Sequence, residues 1–238
     1  PPILGGFAWA AKRVFDLVVA SVVVVLGIPL WLVVAAAIKL DSRGPVLYVD
    51  HMVGNVELGK MNVWADWYQK VMGFSRYITF DDKDISTEYS ALMSTVVWNH
   101  DKVVLPLNEP ADGRRKSQIE EYLDYYGTAG VQHVAMSTDD IVASVAALRR
   151  RGVRFMRVPD NYYDEAPRRM DDLGADLPWA RLAELGILVD RDHGGYLLQI
   201  FTEPVASRPT CFMEIIQREG AQGFGEGNFK ALFTSIEA

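Results

Sequence analysis

VDHMVGNV at residues 49–56 and VQHVAMST at residues 131–138 carry the same pattern twice. Each is a short apolar strand with a histidine at its third position. Each is followed by a stretch of helical character, residues 59–72 in the first case and 139–151 in the second. Asp139 and Asp140 open the second helix, where the macrodipole favours acids. Ile141, Val142, Val145 and Leu148 recur along it at helical spacing. Each helix ends at a glycine, Gly73 or Gly152, suited to the left-handed residue that closes a helix, and a new strand is expected after each. Further strand patterns follow: TEYSALMSTVV (87–97) and KVVLPLN (102–108) in the first half, then GILVDR (186–191), GYLLQIF (195–201) and CFMEIIQR (211–218) in the second. Strand, helix and several strands, twice over, predict an α+β domain of two pseudo-repeats, about 49–110 and 130–220. Together they form one partly open barrel whose interior is available for a site.

Alternate residues of a strand share a face. His51, Val53 and Asn55 therefore form one set, His133, Ala135 and Ser137 a second, and Phe212, Glu214 and Ile216 a third. A carboxylate inside the apolar run CFMEII is costly to bury unless it is paired or bound to a cation. Two histidines and one carboxylate on three inward strands, with no cysteine ligand, fit the facial triad of non-haem iron(II) oxygenases, which leaves positions open for substrate and O2. An ordinary alternative makes each histidine a hydrogen-bonded core residue and Glu214 half of a salt bridge. His100 and His193 lie in polar turns and are assigned no role.

The chain has 238 residues, half of them hydrophobic, and a formal net charge of −7. That charge argues against a nucleic-acid partner, since phosphate binding needs basic patches. Cys211 is the one cysteine, so an internal disulfide and a multi-cysteine zinc site are both excluded. Residues 1–49 carry four cations and two acids, net +2, so the remainder is −9. Within that first part, Leu17 to Ile38 is a run of 22 residues without a charge, the length that a hydrocarbon core of roughly 30 Å requires. Lys12 and Arg13 precede it, and Lys39 and Arg43 follow. It is too long for a signal-peptide core and is followed by IKLDSRGP rather than a small-residue cleavage site. Residues 1–48 are therefore read as a membrane-associated segment, with a break expected near Gly27 and Ile28 because Pro29 has no amide proton.

KRVFDLVVASVVVVLGIPLWLVVAAAIKLDSRGPVLY, residues 12–48, resembles the N-terminal membrane segment of bacterial polyprenyl-phosphate sugar-phosphate transferases, through Lys12-Arg13, Asp16, Pro29 and Asp41-Ser42-Arg43-Gly44-Pro45. The catalytic part of that family does not follow, so the resemblance implies an anchor and no transferase activity. Residues 50–238 resemble the C-terminal catalytic half of 4-hydroxyphenylpyruvate dioxygenase. The motifs DHMVGNVELGKMNVW, FDDKDISTEYSALMS, LPLNEPADGRRKSQIEEYLDYYGTAGVQHVA, GILVDRDHGGYLLQIFT and RPTCFMEIIQREGAQGFGEGNFKALFTSIE follow one another in order.

This second resemblance implies the vicinal-oxygen-chelate (glyoxalase/bleomycin-resistance-like) fold, two βαβββ half-barrels, with one Fe(II) per chain held by His51, His133 and Glu214. It assigns Ser94, Asn108, Gln118, Gln132 and Gln199 as catalytic residues. Pro106, Phe201, Phe212, Phe224, Asn228 and Phe229 are assigned to the substrate. Gln132 adjoins His133 and should point away from the site if its strand is regular. GFGEGNF (223–229) lacks dinucleotide-loop spacing and is read as an approach to a C-terminal helix over the pocket.

The implied reaction uses an aromatic 2-oxo acid and O2. The substrate chelates iron through its 2-oxo acid group and loses CO2, the ring is hydroxylated, and side-chain migration yields homogentisate, a step of tyrosine and phenylalanine catabolism. 4-Hydroxymandelate synthase is the nearest rival. It tends to carry a smaller aliphatic residue at the position of Phe229, so Phe229 favours ring hydroxylation. A catalytically silent membrane-tethered domain, or an artificial fusion, is the rival of another class. It arises because the apolar segment stands where the dioxygenase family has its own N-terminal domain, whose loss would expose apolar surface. The expected setting is a cytoplasmic catalytic domain anchored at the inner face of a bacterial membrane, compatible with a homo-oligomer.

Overall fold

A computed structural model describes residues 6–41, 47–80, 91–111, 116–159, 161–170, 176–225 and 227–228. Contacts divide the chain into two units, Pro1–Gly44 and Pro45–Ala238. The first unit holds helix α1, Gly6–Asp41. Its stretch Ala10–Val34 is long and apolar enough to cross a membrane, with a mean hydropathy of 2.9 and no part of the most apolar window buried. α1 runs without interruption through Pro29, contrary to the expected break. A lone proline removes one hydrogen bond, and the turns on either side can carry the helix past it.

The second unit contains β1 (Tyr48–Asn55), α2 (Met61–Met72), β2 (Ser75–Phe80), β3 (Ala91–Trp98) and β4 (Val104–Ala111). Helix α3 (Gln118–Tyr126) links them to β5 (Gly130–Ser137), α4 (Ile141–Arg150), α5 (Tyr162–Met170) and α6 (Trp179–Leu185). Strands β6 (Leu188–Asp192), β7 (Gly195–Phe201) and β8 (Phe212–Glu219) complete the unit. The eight strands form one curled sheet in the order β2-β3-β4-β1-β5-β8-β7-β6. β1 lies parallel to β4, and β5 lies parallel to β8. The antiparallel pairing of β1 with β5 joins the two halves at the centre. The duplicated pattern is thus a duplicated topology, with β1, β3 and β4 answered by β5, β7 and β8.

Capping residues set the helix limits. Gly73 closes α2 at φ 71°, and Asp140 caps α4 by accepting from the Ala143 amide. Ser117 and Glu120 form a reciprocal capping box at the start of α3. The strand expected after Gly152 is reduced to a single bridge between Phe155 and Thr202, and α5 and α6 follow instead. α4 and α6 cover the outer face of the second half, while Tyr162 and Ala166 of α5 pack on the inward-facing Leu188, Phe201 and Phe212. On the outer face Ile141, Val145, Leu182 and Leu185 pack on Ile187, Val189, Leu198, Ile200 and Ile215. β7 is consequently buried on both faces, which accounts for its nearly unbroken apolar run. In the first half α2 covers the sheet through Met61 and Ala65 against Val97 and Leu107, and α3 packs on β4 and β1. The outer side of α2 leaves Val63, Trp64, Trp67 and Val71 exposed.

Candidate metal centre

His51 enters from β1, His133 from β5 and Glu214 from β8. All three are buried, and their ligand atoms lie within 4.8 Å of one another. Glu214 Oε2 is 3.2 Å from His133 Nε2 and 3.5 Å from His51 Nε2. The ladder explains this convergence. Val53 stands opposite His133, and Ala135 opposite Glu214, so the three inward faces meet around one point. One residue back along the Gly54–Leu107 register, Val53 stands beside Pro106. Pro106 is therefore the first-half counterpart of Glu214. It carries no ligand atom, so the duplicated framework brings three candidate ligands together and offers none at the fourth equivalent position.

Two β-bulges tune the histidines. Between Val49 and His51 the pairing of β1 with β5 gains an extra residue, Asp50; between Val53 and Gly54 the extra residue is Gln132. A bulge re-aims its side chain, and both re-aimed side chains meet the Nδ1 of the following histidine. Asp50 Oδ1 accepts from His51 Nδ1 at 2.7 Å, and Gln132 Oε1 accepts from His133 Nδ1 at 3.1 Å. Each histidine is thereby held with Nε2 aimed at Glu214, towards the point a cation would occupy. The condition under which Gln132 would point away, a regular strand, is not met: Gln132 sits at the bulge, buried, with Oε1 on His133 Nδ1.

The fit to a divalent cation rests on the donor set itself. Two imidazole nitrogens and one carboxylate oxygen converge among buried residues, and Glu214 Oε1 is buried with no partner among the described residues. Burial alone would raise the Glu214 carboxyl. The hydrogen bonds from His133 and His51 overcome that effect and hold it at about 2. Burial likewise lowers His133, and Glu214 does not fully offset it. His51 is also pushed down by burial, but hydrogen bonds to Asp50 and Glu214 bring it above the ordinary histidine value. A cation must displace the His51 proton. Metal affinity is therefore expected to fall as pH drops through neutrality, with protons released on binding. Calorimetric titration in two buffers of different ionisation enthalpy measures this, and equal heats in both would contradict it.

Aromatic rings wall the centre. Phe212 stacks on His133 with centroids 4.9 Å apart, and Phe201 meets the edges of both rings. Phe224 lies edge-on to His51 at 5.2 Å. Gln199 on β7 is fully buried, and neither atom of its amide has a partner. Asn228 accepts at Oδ1 from the Tyr162 hydroxyl and leaves Nδ2 unpaired. On the first half, Ser94, Asn108 and Asn55 form one row across β3, β4 and β1. Asn55 is buried with both amide atoms unpartnered. Gln118 is half-buried at the first turn of α3, which packs on β4 and β1. Phe229 and the rest of the expected C-terminal helix, residues 229–238, lie outside the described residues.

Asn55 shares the His51 face by alternation but is assigned no role from the sequence, and two further neighbours of the centre, Asp50 and Arg218, carry no local sequence signal. The Arg218 guanidinium grips Asp50 with two prongs, Nε to Oδ2 at 2.9 Å and Nη2 to Oδ1 at 2.8 Å. Burial acts to raise the Asp50 carboxyl, and the hydrogen bonds from His51 and Arg218 hold it well below the usual range.

Comparison with known proteins adds to this geometry. Residues 49–200 match the family described as Glyoxalase/Bleomycin resistance protein/Dioxygenase superfamily. The chain belongs to that superfamily. Within it, the chain is 50% identical over 204 residues to 4-hydroxyphenylpyruvate dioxygenase of Danio rerio, covering 84% of this chain and 51% of that protein. The same enzyme of Xenopus tropicalis is 48% identical over 203 residues, covering 82% and 50%. The chain therefore spans about half the length of the curated relatives it matches. Among solved structures, a mutant of 4-hydroxymandelate synthase from Streptomyces coelicolor superposes with a TM-score of 0.70 at 38% identity, covering 82% of this chain and 55% of that one. Residues 7–63 match the family described as Bacterial sugar transferase. That match overlaps the superfamily match across β1 and the start of α2, beyond the expected end near residue 48.

Proposed function

We propose that the second unit is an iron(II)-dependent dioxygenase that converts 4-hydroxyphenylpyruvate and O2 to homogentisate and CO2. The observation that carries this reading is the buried meeting of His51, His133 and Glu214 on a sheet about 50% identical in sequence to 4-hydroxyphenylpyruvate dioxygenases. Bound iron(II) would supply chelation of the 2-oxo acid and activation of O2 at the positions the three ligands leave open. The chain's own residues do the rest. Phe201, Phe212 and Phe224 exclude water and flank an aromatic ring. Gln199, Asn228 and the row Ser94, Asn108 and Asn55 offer hydrogen bonds to substrate oxygens; Gln118, on the adjoining helix, is assigned the same task. Gln132 and Asp50 keep the histidine lone pairs aimed inward. Pro106 closes the first-half wall without competing for the cation.

The test is oxygen uptake by iron-loaded protein given 4-hydroxyphenylpyruvate, with chromatographic identification of the product. Homogentisate is expected. The similarity to 4-hydroxymandelate synthase supports one alternative, side-chain hydroxylation, and 4-hydroxymandelate as the main product would replace the proposal with it. Absence of turnover in folded, iron-loaded protein would establish the silent-domain reading.

Helix α1 and the match of residues 7–63 to bacterial sugar transferases support attachment of this chain to a membrane; the cytoplasmic face is the side we propose for the second unit. Membranes from cells expressing the chain, washed with alkaline carbonate, are expected to retain it. Release into the wash would remove the anchor.

A further inference from the structure

We propose that Asp50, Arg218 and Asp192 form a positioning relay that couples occupancy of the metal centre to the seating of the segment bearing Phe224. The inference rests on the metal reading of His51, His133 and Glu214 and extends it to residues that touch no ligand atom of a cation.

The contacts close a ring. His51 Nδ1 donates to Asp50, and Asp50 is held on both oxygens by Arg218. The remaining Arg218 nitrogen, Nη1, reaches the turn that follows β8, donating to Gly223 O at 2.6 Å and to Ala221 O at 3.3 Å. The next residue is Phe224. Its ring lies 5.9 Å from the Arg218 guanidinium and edge-on to His51, so the path returns to the ligand from which it began. The same turn is gripped from its other side. Asp192 Oδ2 accepts from the amides of Gln222 and Gly223, both at 2.6 Å, while its Oδ1 accepts from Gly194 at 2.7 Å and Gly195 at 3.2 Å. Arg218 thus holds the carbonyls of residues 221 and 223, and Asp192 holds the amides of residues 222 and 223.

Relative to the neutral imidazole, a cation on His51 Nε2 draws electron density from the ring and strengthens the Nδ1 hydrogen bond to Asp50. It also replaces the loose 3.5 Å approach to Glu214 with a fixed imidazole orientation. Both effects act on the groups that carry Arg218 and on the ring face that Phe224 meets. A turn seated by the metal must, by linkage, help to seat the metal, and by the same factor.

The full chain in detergent, titrated anaerobically with iron(II), provides the test. Hydrogen exchange of the peptide covering Arg218 to Phe224 is followed by mass spectrometry beside the binding isotherm. Iron is expected to slow exchange at Gln222 and Gly223 by about five-fold or more, the low end of ordinary coupling. Asp192→Asn touches no metal ligand, yet it is expected to weaken iron binding by a similar factor. Arg218→Met is expected to bind iron with no added protection of the turn, and adding Asp192→Asn to it should weaken binding no further. If Arg218→Met fails to fold, Asp192→Asn decides alone. Wild-type protein that binds iron with unchanged exchange, or Asp192→Asn with unchanged affinity, would overturn the relay and leave the metal reading standing. Failure of the wild type to bind iron would overturn both.

Discussion

Glu214→Ala is expected to take bound iron(II) from one per chain to a small fraction of that under the same loading conditions. The carboxylate supplies the only negative charge among the three ligands, because both histidines bind as neutral imidazoles. Apparent binding energies of about 10–16 kcal/mol for four-ligand zinc sites correspond to roughly 2.5–4 kcal/mol per ligand. Losing one ligand should then weaken binding by about 10²- to 10³-fold, at some 1.4 kcal/mol per tenfold. Loss of charge pushes the figure towards the upper end. His133→Ala is expected to act in the same direction, since Phe212 and Gln132 hold its ring where no neighbour can replace it. His100 bonds Ser75 at the surface and His193 is exposed, so their alanine variants serve as controls and should keep full iron. Inductively coupled plasma analysis of dialysed protein, with circular dichroism to confirm folding, gives the stoichiometry. Retention of one iron per chain by folded Glu214→Ala would remove the proposed ligand set.

The three ligands are legible in the sequence because each breaks a rule of its surroundings. His51 and His133 stand at matching places in a repeated strand pattern, and Glu214 is a charge inside an apolar run. Alternation alone places each on an inward face, and the β1–β5 and β5–β8 ladders bring those faces together. The same rule misplaces Gln132. A bulge depends on how two strands pair, and β1 and β5 are far apart in sequence, so no local period announces that Asp50 and Gln132 are the extra residues. Arg218 and Asp192 are invisible for a related reason. One ends an apolar strand and the other opens a Gly-Gly turn, positions where charge is ordinary, and their importance lies in what the turn after β8 brings to them. Helices α5 and α6 escape because they are short. α5 even contains Pro167, and its stability comes from Tyr162, Ala166 and Met170 packing inward rather than from a long helical period.

Gly225→Ala is expected to leave iron bound and to lower turnover by about 100-fold, the loss that a misplacement of roughly 1 Å can cause. Gly225 sits at φ +77°, and a Cβ there would stand 2.1 Å from Gln199 Nε2 and 2.6 Å from Gln199 Oε1. The obstruction is the end of a flexible side chain, so the fold can yield by turning the Gln199 amide aside. That amide is fully buried and bonded to no protein group among the described residues, so under the proposed function the substrate is its partner. Re-aiming it should therefore harm substrate positioning before it harms folding, with the left-handed backbone adding a destabilisation of about 1 kcal/mol or more. Gly59→Ala separates the two effects: φ there is +74°, and nothing lies within 4 Å of the added carbon. It should show the backbone cost and keep its turnover. Gly195→Ala marks the opposite limit, since its Cβ would fall 2.0 Å from the Glu219 carbonyl oxygen, a backbone atom that cannot turn away. That variant should lose the β7–β8 pairing and, with it, the folded second unit. Steady-state oxygen uptake and thermal melting on the three variants distinguish these outcomes. If Gly225→Ala and Gly59→Ala turn over alike, Gln199 has no part in holding the substrate.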